Sequence, residues 1–150
     1  MKKSNSFWSF LVRRGLPHDA TEFRGLPLSA PVHVYRDRMG IPHIFAENAR
    51  DLLVAQGFVH AQERLWQMET LRRFASGTLA EIAGEAAADL DHFSRLAGFA
   101  NLQKRALARL NEEDRALFQA YVDGVNAYLA LAGKNLPIEF QSLKLTPRPY

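Results

Sequence analysis

The chain has 150 residues and a mass of 17.0 kDa, which is the length of one domain with one hydrophobic core. It is 47% hydrophobic and 23% charged and has no cysteine, which excludes a largely disordered chain, disulfides and a cysteine nucleophile. The net charge is +3, but residues 1–38 carry seven basic and three acidic side chains, so nucleic-acid binding by the later helices is not expected.

Residues 1–30 read as a basic leader followed by an irregular lead-in. Lys2 and Lys3 precede the apolar run Phe7–Val12, which is the order found in a signal peptide. The run is shorter than the roughly seven to fifteen residues of an export segment and too short to span a bilayer. A degenerate signal segment and a flexible basic leader therefore both stay open. Proline and glycine predict an irregular chain over residues 17–30.

Residues 32–46 predict a β-hairpin. Apolar and polar residues alternate on both sides of Asp37–Gly40, which is a turn signature between two short strands. Pro42 donates no backbone hydrogen bond, so the second strand is expected to lie at a sheet edge or to begin there.

A long helix is predicted after the hairpin. Asn48 stands three residues before Asp51, which gives the side-chain acceptor and the first-turn acid of a helix N-cap. Gly77 is expected to end the helix after about seven turns, and Thr78 with Glu81 to cap a second, short helix. The apolar stripe that predicts the buried side recurs at steps of three and four and consists of Val54, Phe58, Ala61, Leu65 and Met68.

Three positions of this helix carry specific expectations. Gly57 costs about 0.5–1 kcal/mol relative to alanine inside a helix, so close approach of another backbone is expected to compensate. Glu69 and Arg73 stand at i,i+4 in the favourable order for a surface ion pair worth ~0.3 kcal/mol. Arg64 lies beside the apolar stripe, and Glu63 or a later carboxylate is its expected partner in a partly buried ion pair.

The second half of the chain is predicted to be helical. Asn111 and Asp114 repeat the capping signature, Gly133 is expected to end that helix, and three prolines exclude a long element over residues 136–150. The stripe of the capped helix consists of Leu117, Tyr121, Val125, Tyr128 and Ala132. A looser stripe over residues 86–110 consists of Leu90, Phe93, Ala97, Ala100 and Leu107. The predicted fold class is α+β, mostly helical with an N-terminal β-hairpin.

The histidines do not form a helical zinc motif. None stands in HExxH or in an i,i+4 pair, and they are His18, His33, His43, His60 and His92. His60 and Glu63 are one turn apart, a spacing far more typical of a surface pair than of two metal ligands. His43 is expected to bond the backbone of the hairpin rather than to act as a base.

The other chemistry-bearing residues also have structural explanations. No serine lies in a G-x-S-x-G elbow, and no phosphate-binding glycine loop occurs. The acids at Glu112–Asp114 complement the dipole of a helix N-terminus, and Asp89 with Asp91 lack the loop pattern of a calcium site. An aromatic cluster expected in a core or interface consists of Trp66, Met68 and Phe74. The residues in hand therefore predict no catalytic, substrate-binding or metal-binding side chain.

A series of short motifs runs in order from residue 31 to residue 150. The motifs are Arg36–Asp37, Gly40–Ile44, Gln56–Phe58, Ala61–Leu65, Gln67–Glu69, Arg72–Arg73, Gly77–Glu81, Leu110–Asp114, Tyr121–Tyr128 and Leu145–Arg148. Each motif is weak alone because many helices contain such residues, but the ordered succession is specific. It resembles the amino-terminal part of the penicillin acylase family, whose members mature by self-cleavage.

The resemblance implies an amidohydrolase of the N-terminal nucleophile class. In this family a serine that becomes N-terminal on a second, larger chain attacks the amide, and its own α-amino group is the base. An Asn side chain and backbone amides hold the oxyanion. Residues 31–150 then correspond to an incomplete small (alpha) chain that wraps an αββα catalytic sandwich. The nucleophile, the calcium ligands and the acyl-pocket residues follow the position of Tyr150 in the family, so none is expected here.

The resemblance also implies partners and a location. The expected partners are the remainder of the precursor, as a large catalytic chain, and a small acyl amide such as a penicillin, a cephalosporin or an acyl-homoserine lactone. Calcium is implied only for the full-length enzyme, and a periplasmic or extracellular location is what the family suggests. Two other interpretations stay open: a non-enzymatic helical interaction module, and a membrane-surface role for residues 1–16.

Overall fold

A computed structural model describes residues 22–150. The basic leader, including His18, lies outside the described residues, and residues 22–30 contain no helix or strand, as expected. The elements that follow are β1 (His33–Arg36), β2 (Pro42–Phe45), α1 (Ala49–Ser76), α2 (Ala80–Ala83), a 3-10 turn (Gly84–Ala87), α3 (Ala88–Ala97), α4 (Phe99–Arg109), α5 (Glu112–Ala132) and α6 (Ile138–Ser142). The prediction of a mostly helical α+β fold with an N-terminal hairpin is confirmed.

The described chain forms two compact units. The first contains residues 22–65 and 116–150, and the second contains residues 66–115. Helix α1 leaves helical geometry at Arg64 (φ −135°, ψ 22°), next to the end of the first unit. No helix within residues 22–150 combines the length and the apolar character that a bilayer crossing requires.

The hairpin pairs its two strands in antiparallel register. His33 lies opposite Phe45, and Arg36 lies opposite Pro42. The turn is held by the Asp37 side chain, whose Oδ1 accepts hydrogen bonds from the backbone N–H groups of Met39 and Ile41, each at 2.9 Å. Side-chain acceptance of this kind is the reason that Asp is favoured at turns. The predicted turn at residues 37–40 is confirmed.

The core of the first unit lies where α1 and α5 cross. A Cβ atom on Gly57 would lie 2.0 Å from the carbonyl oxygen of Tyr121, and one on Gly124 would lie 1.9 Å from that of Val54. Close backbone approach at Gly57 is therefore confirmed, and Gly124 is its reciprocal partner. The residues of α1 and α5 that are almost completely buried include Val54, Phe58, Val59, Ala61, Leu65, Ala120 and Val125.

The last residues of the chain are anchored on α5. Asn126 Nδ2 donates to the carbonyl oxygen of Tyr150 (3.1 Å), and Asn126 Oδ1 accepts from the Tyr150 N–H (2.8 Å). The proline-rich segment contains only the five-residue helix α6, whose Phe140 is buried. The absence of a long element over residues 136–150 is confirmed.

The second unit contains a capping arrangement that the sequence did not predict. Gly77 has φ +65° and ends α1 as expected, but α2 begins at Ala80 with Leu79 at its N-cap position and no cap from Thr78. The acceptor is Asp91 of α3, which takes the N–H groups of Leu79 (2.7 Å) and Ala80 (2.9 Å). A buried carboxylate that accepts two N–H groups outcompetes a local hydroxyl, so the Thr78 prediction was wrong.

Candidate functional site

Among the buried or half-buried clusters of polar contacts in residues 22–150, the first is centred on Asp51. This carboxylate is fully buried at the start of α1. It accepts hydrogen bonds from Ser29 Oγ (2.6 Å), from the N–H groups of Ser29 and Ala30 (3.0 and 2.9 Å), and from Asn48 Nδ2 (2.9 Å). In return the Asp51 N–H donates to Asn48 Oδ1 at 2.8 Å, which confirms Asn48 as the N-cap.

The donors around Asp51 determine its ionisation. The hydroxyl and the N–H of Ser29 hold the pKa of Asp51 far below its ordinary value, because each donor stabilises the charged form. A carboxylate with this pKa is a poor general base at neutral pH. Asp51 therefore ties the lead-in to α1. Sequence reasoning found the cap but missed this anchor, since Ser29 is distant in the chain and no spacing rule connects it to Asp51.

The second cluster connects the hairpin to α1. Arg36 forms an ion pair with Glu63 and also donates to Gln62 Oε1 at 2.8 Å. Gln62 is buried, and the Arg36 and Glu63 side chains are each about a quarter exposed. The expected pairing of Glu63 with Arg64 was wrong: within residues 22–150 Arg64 forms no ion pair and its side chain is exposed. Arg36 takes Glu63 because the hairpin lies against that side of α1.

The third cluster, in the second unit, surrounds Glu69. Its carboxylate is 1% exposed and accepts from Arg72 (2.5 Å) and from Arg73 (2.7 Å), while Arg73 also pairs with Glu81 (2.6 Å). The predicted pair of Glu69 with Arg73 is confirmed, but its expected surface location is wrong. A buried carboxylate depends on its partners far more than a surface one does.

We expect Glu69→Gln to lower the free energy of unfolding by about 2 kcal/mol, because it leaves two arginines facing a neutral amide in a buried place. The matched control is Glu81→Gln, which removes the same kind of bond from a carboxylate that is 64% exposed. That change should stay within about 1 kcal/mol of the parent. Urea unfolding of the full-length protein measures both variants. Equal effects of the two substitutions would contradict the assignment.

Two described histidines that could have been catalytic or metal-binding, His43 and His60, have structural neighbours. His43 was expected to bond the backbone of the hairpin. Its partner is instead the turn carboxylate, since His43 Nε2 lies 3.5 Å from Asp37 Oδ2. His60 Nδ1 lies 3.0 Å from the hydroxyl of Tyr121, and the expected pair with Glu63 does not form. Both histidines are exposed, and neither is hydrogen bonded to a serine among the described residues. No Ser–His nucleophile is therefore assembled within residues 22–150.

The acidic residues do not assemble a metal site either. Within the described part of the chain, no group of three or more His, Asp or Glu side chains is placed to hold an ion. Asp91, one of the two acids considered for a cation, is instead buried against the N–H groups at the start of α2. What the arrangement does chemically is to fix the ends of α1 and α2 and the position of the hairpin.

Comparison with known proteins identifies the family to which this chain belongs. The family model of penicillin amidase matches residues 31–150, which is most of the chain. The chain belongs to the penicillin amidase family. It is 48% identical over 123 residues to the penicillin acylase 2 proenzyme of Pseudomonas sp. strain SE83, and 35% identical over 124 residues to the penicillin G acylase of Escherichia coli. It is also 36% identical over 120 residues to an acyl-homoserine lactone acylase of Pseudomonas putida.

A solved structure of the same family shares the fold. The thermostable penicillin G acylase from Alcaligenes faecalis, in its tetragonal form, superposes with a TM-score of 0.71 at 34% identity, over 80% of this chain and 65% of that one. The curated relatives are much longer. The matched region covers 80–82% of this chain but only 15–16% of the three relatives named above. Membership of the family is thus established for a segment that spans about a sixth of its relatives.

Proposed function

We propose that the full-length penicillin amidase family member to which this segment belongs hydrolyses the amide bond of an acylated substrate. The match of residues 31–150 to the family model carries the proposal. The names of three relatives support it, since two are penicillin acylases and one is an acyl-homoserine lactone acylase. All three names describe removal of an acyl group from an amine.

The reaction proceeds through an acyl-enzyme. The hydroxyl of a serine at the N-terminus of the downstream chain attacks the acyl carbonyl, and its α-amino group takes the hydroxyl proton through a water molecule. That proton passes to the leaving amine as the amide bond breaks. Water then attacks the serine ester, releases the carboxylic acid and restores the hydroxyl. Preorganised N–H donors in the downstream chain stabilise the oxyanion of each step.

The described residues contribute rigidity to this reaction and no reacting group. The buried carboxylates Asp51 and Asp91 each fix two parts of the chain to one another, and Arg73 links the buried Glu69 to Glu81. Preorganised sites need such support, because small displacements of a catalytic group lower the rate strongly. The segment is therefore the small-chain scaffold around an αββα catalytic sandwich formed with the large chain.

The acyl group and the amine are proposed only as a class. The relatives divide between penicillin acylases and acyl-homoserine lactone acylases. The substrate is therefore proposed as an amide, with the hydrophobic acyl group that the resemblance to the family implies. Calcium is proposed only for the full-length protein, with the ligands that the family resemblance places after Tyr150. No step of the reaction is assigned to it.

The proposal is tested by assaying two purified proteins side by side, the 150-residue chain and the full-length protein. We expect the full-length protein to release amine from a phenylacetyl amide or from a long-chain acyl-homoserine lactone, and the 150-residue chain to release none above background. Alanine in place of the N-terminal serine of the large chain should abolish both turnover and self-cleavage. Turnover by the short chain, or a full-length protein that neither cleaves itself nor hydrolyses amides, contradicts the proposal. The second outcome would favour a helical interaction module.

A further inference from the structure

Residues 23–30, which we call the strap, contain no helix or strand but are bonded to the start of α1. Ser29 binds the fully buried Asp51 through its hydroxyl (2.6 Å) and through its N–H group (3.0 Å). The carbonyl oxygen of Pro27 accepts a hydrogen bond from Arg50 Nη1 at 2.8 Å. The strap is therefore fixed to the first turn of α1 by hydrogen bonds at two places.

The first residue of the strap contacts the core of the same unit. The rings of Phe23 and Phe58 are tilted by 57°, with centroids 4.8 Å apart. Phe58 in turn contacts Tyr128 of α5 edge to face, at 5.5 Å. Phe58 is only 4% exposed, whereas Phe23 is 40% exposed. Phe23 thus lies on the outside of the aromatic contact between α1 and α5 and covers part of it.

The sequence by itself indicates a boundary that conflicts with these contacts. Ser29 and Ala30 are small residues of the kind that end a removable leader, and the match to the family model begins at Pro31. A cut between Ala30 and Pro31 would release the strap. It would take the Ser29 donors away from Asp51 and uncover Phe58. Loss of a donor to a buried carboxylate is among the more costly changes to a hydrogen bond.

We propose that the strap is kept in the mature protein, and that any removal of the basic leader therefore ends before Phe23. The strap holds the start of α1 through contacts between residues that lie 22 or 23 positions apart in the chain. No neighbouring residue of α1 can replace such contacts once the strap is lost. This inference goes beyond the proposed function, and its tests do not use amidase activity. A failure of one therefore leaves the other standing.

Peptide mapping shows where the mature chain begins, if the full-length protein is purified from the cells that naturally make it. Trypsin cuts after Arg24 and Arg36, so a retained strap yields the peptide of residues 25–36. Removal at the alternative boundary yields residues 31–36 alone. We expect the longer peptide, together with an upstream peptide that contains Phe23. A mature chain whose first residue lies beyond Phe23 overturns the proposal.

Hydrogen exchange measures whether the strap holds α1. Two variants of the full-length protein are compared, one lacking residues 2–21 and one lacking residues 2–30, so that only the second lacks the strap. We expect the amides of residues 52–58 to exchange at least about tenfold faster in the second variant, because exchange follows local opening. In the first variant they should stay within about twofold of the parent. Equal exchange in the two variants overturns the proposal, and the amides of α3 are the internal reference.

Point variants keep the test decisive if the shorter protein does not fold. Ser29→Ala removes the hydroxyl that lies 2.6 Å from the Asp51 carboxylate and should raise the exchange of residues 52–58 about tenfold. The matched control is Arg24→Ala in the same strap. The Arg24 side chain is 83% exposed and pairs with Glu22, so its loss should leave exchange in α1 unchanged. If Ser29→Ala exchanges no faster than Arg24→Ala, the strap does not hold α1 and the proposal fails.

Discussion

Gly124→Ala is expected to destabilise the full-length protein by about 3 kcal/mol, although alanine is normally the better helix former by about 0.5–1 kcal/mol. The added Cβ would lie 1.9 Å from the carbonyl oxygen of Val54 and 2.9 Å from the N–H nitrogen of Phe58. Both obstacles are backbone atoms, so no side-chain rotation relieves the contact. The two helices must separate, and the buried Val54 and Val125 lose their packing.

Gly57→Ala should behave in the same way, since its Cβ would lie 2.0 Å from the carbonyl oxygen of Tyr121. Thermal unfolding and the yield of soluble full-length protein measure both variants. A matched control is Ala130→Met, which enlarges a side chain on an exposed position of the same helix α5 and should change stability by less than about 0.5 kcal/mol. If either glycine variant melts at or above the parent temperature, α1 and α5 do not cross at these residues.

Asp51→Asn is the second change for which we expect a large effect, with a fall of the melting midpoint of several degrees at neutral pH. The asparagine amide can accept at one oxygen only and presents its own NH₂ donor to the N–H groups of Ser29 and Ala30. Donors that face a donor in a buried place lose their hydrogen bonds without replacement by water. The lead-in around Ser29 should therefore detach from the start of α1. Thermal unfolding at pH 7 measures the change.

The pH dependence of this variant gives an independent check. The donors of Ser29 lower the pKa of Asp51, so the folded value lies below the unfolded one of about 3.9. The stabilisation is therefore present above about pH 4 and is lost as the pH falls through the folded value. We expect the difference in stability between parent and Asp51→Asn to be constant at neutral pH and to shrink in acid. Asp123→Asn, on a carboxylate that accepts from Gln119 (2.9 Å), should show neither effect. A difference that grows in acid contradicts the assignment.

Local patterns predicted much of the fold. Asn48 and Asn111 stand three residues before an acid, and both proved to accept the N–H of that acid, at 2.8 and 2.7 Å. The turn at Asp37 and the glycine that ends α1 were predicted for the same reason, because the conformation depends on a few adjacent residues. The apolar stripe of α1 was predicted because one helix period determines which side is buried.

Long-range contacts were predicted less well. Arg64 was expected to pair with Glu63 or a later carboxylate, but Arg36 takes Glu63. Thr78 was expected to cap α2, but Asp91 accepts the N–H groups there. His43 was expected to bond the backbone, but it lies against the turn carboxylate of Asp37. Glu63 pairs with Arg36 across 27 residues, and Asp91 reaches Leu79 across 12. No periodic pattern connects such residues, so their pairing depends on how the elements pack. The same holds for the burial of Glu69, which an i,i+4 spacing alone assigns to the surface.

By itself the sequence determined the family, the order of helices and strands, and the absence of any recognisable catalytic motif, because each depends on residue types in a fixed order along the chain. Only the tertiary structure decided that Gly57 and Gly124 face each other, that Asp51 is an anchor, and that the apolar side of α3 and α4 remains exposed. These are properties of distances between segments. Spacing along a chain constrains which side of a helix is apolar, but it does not state what, if anything, lies against it.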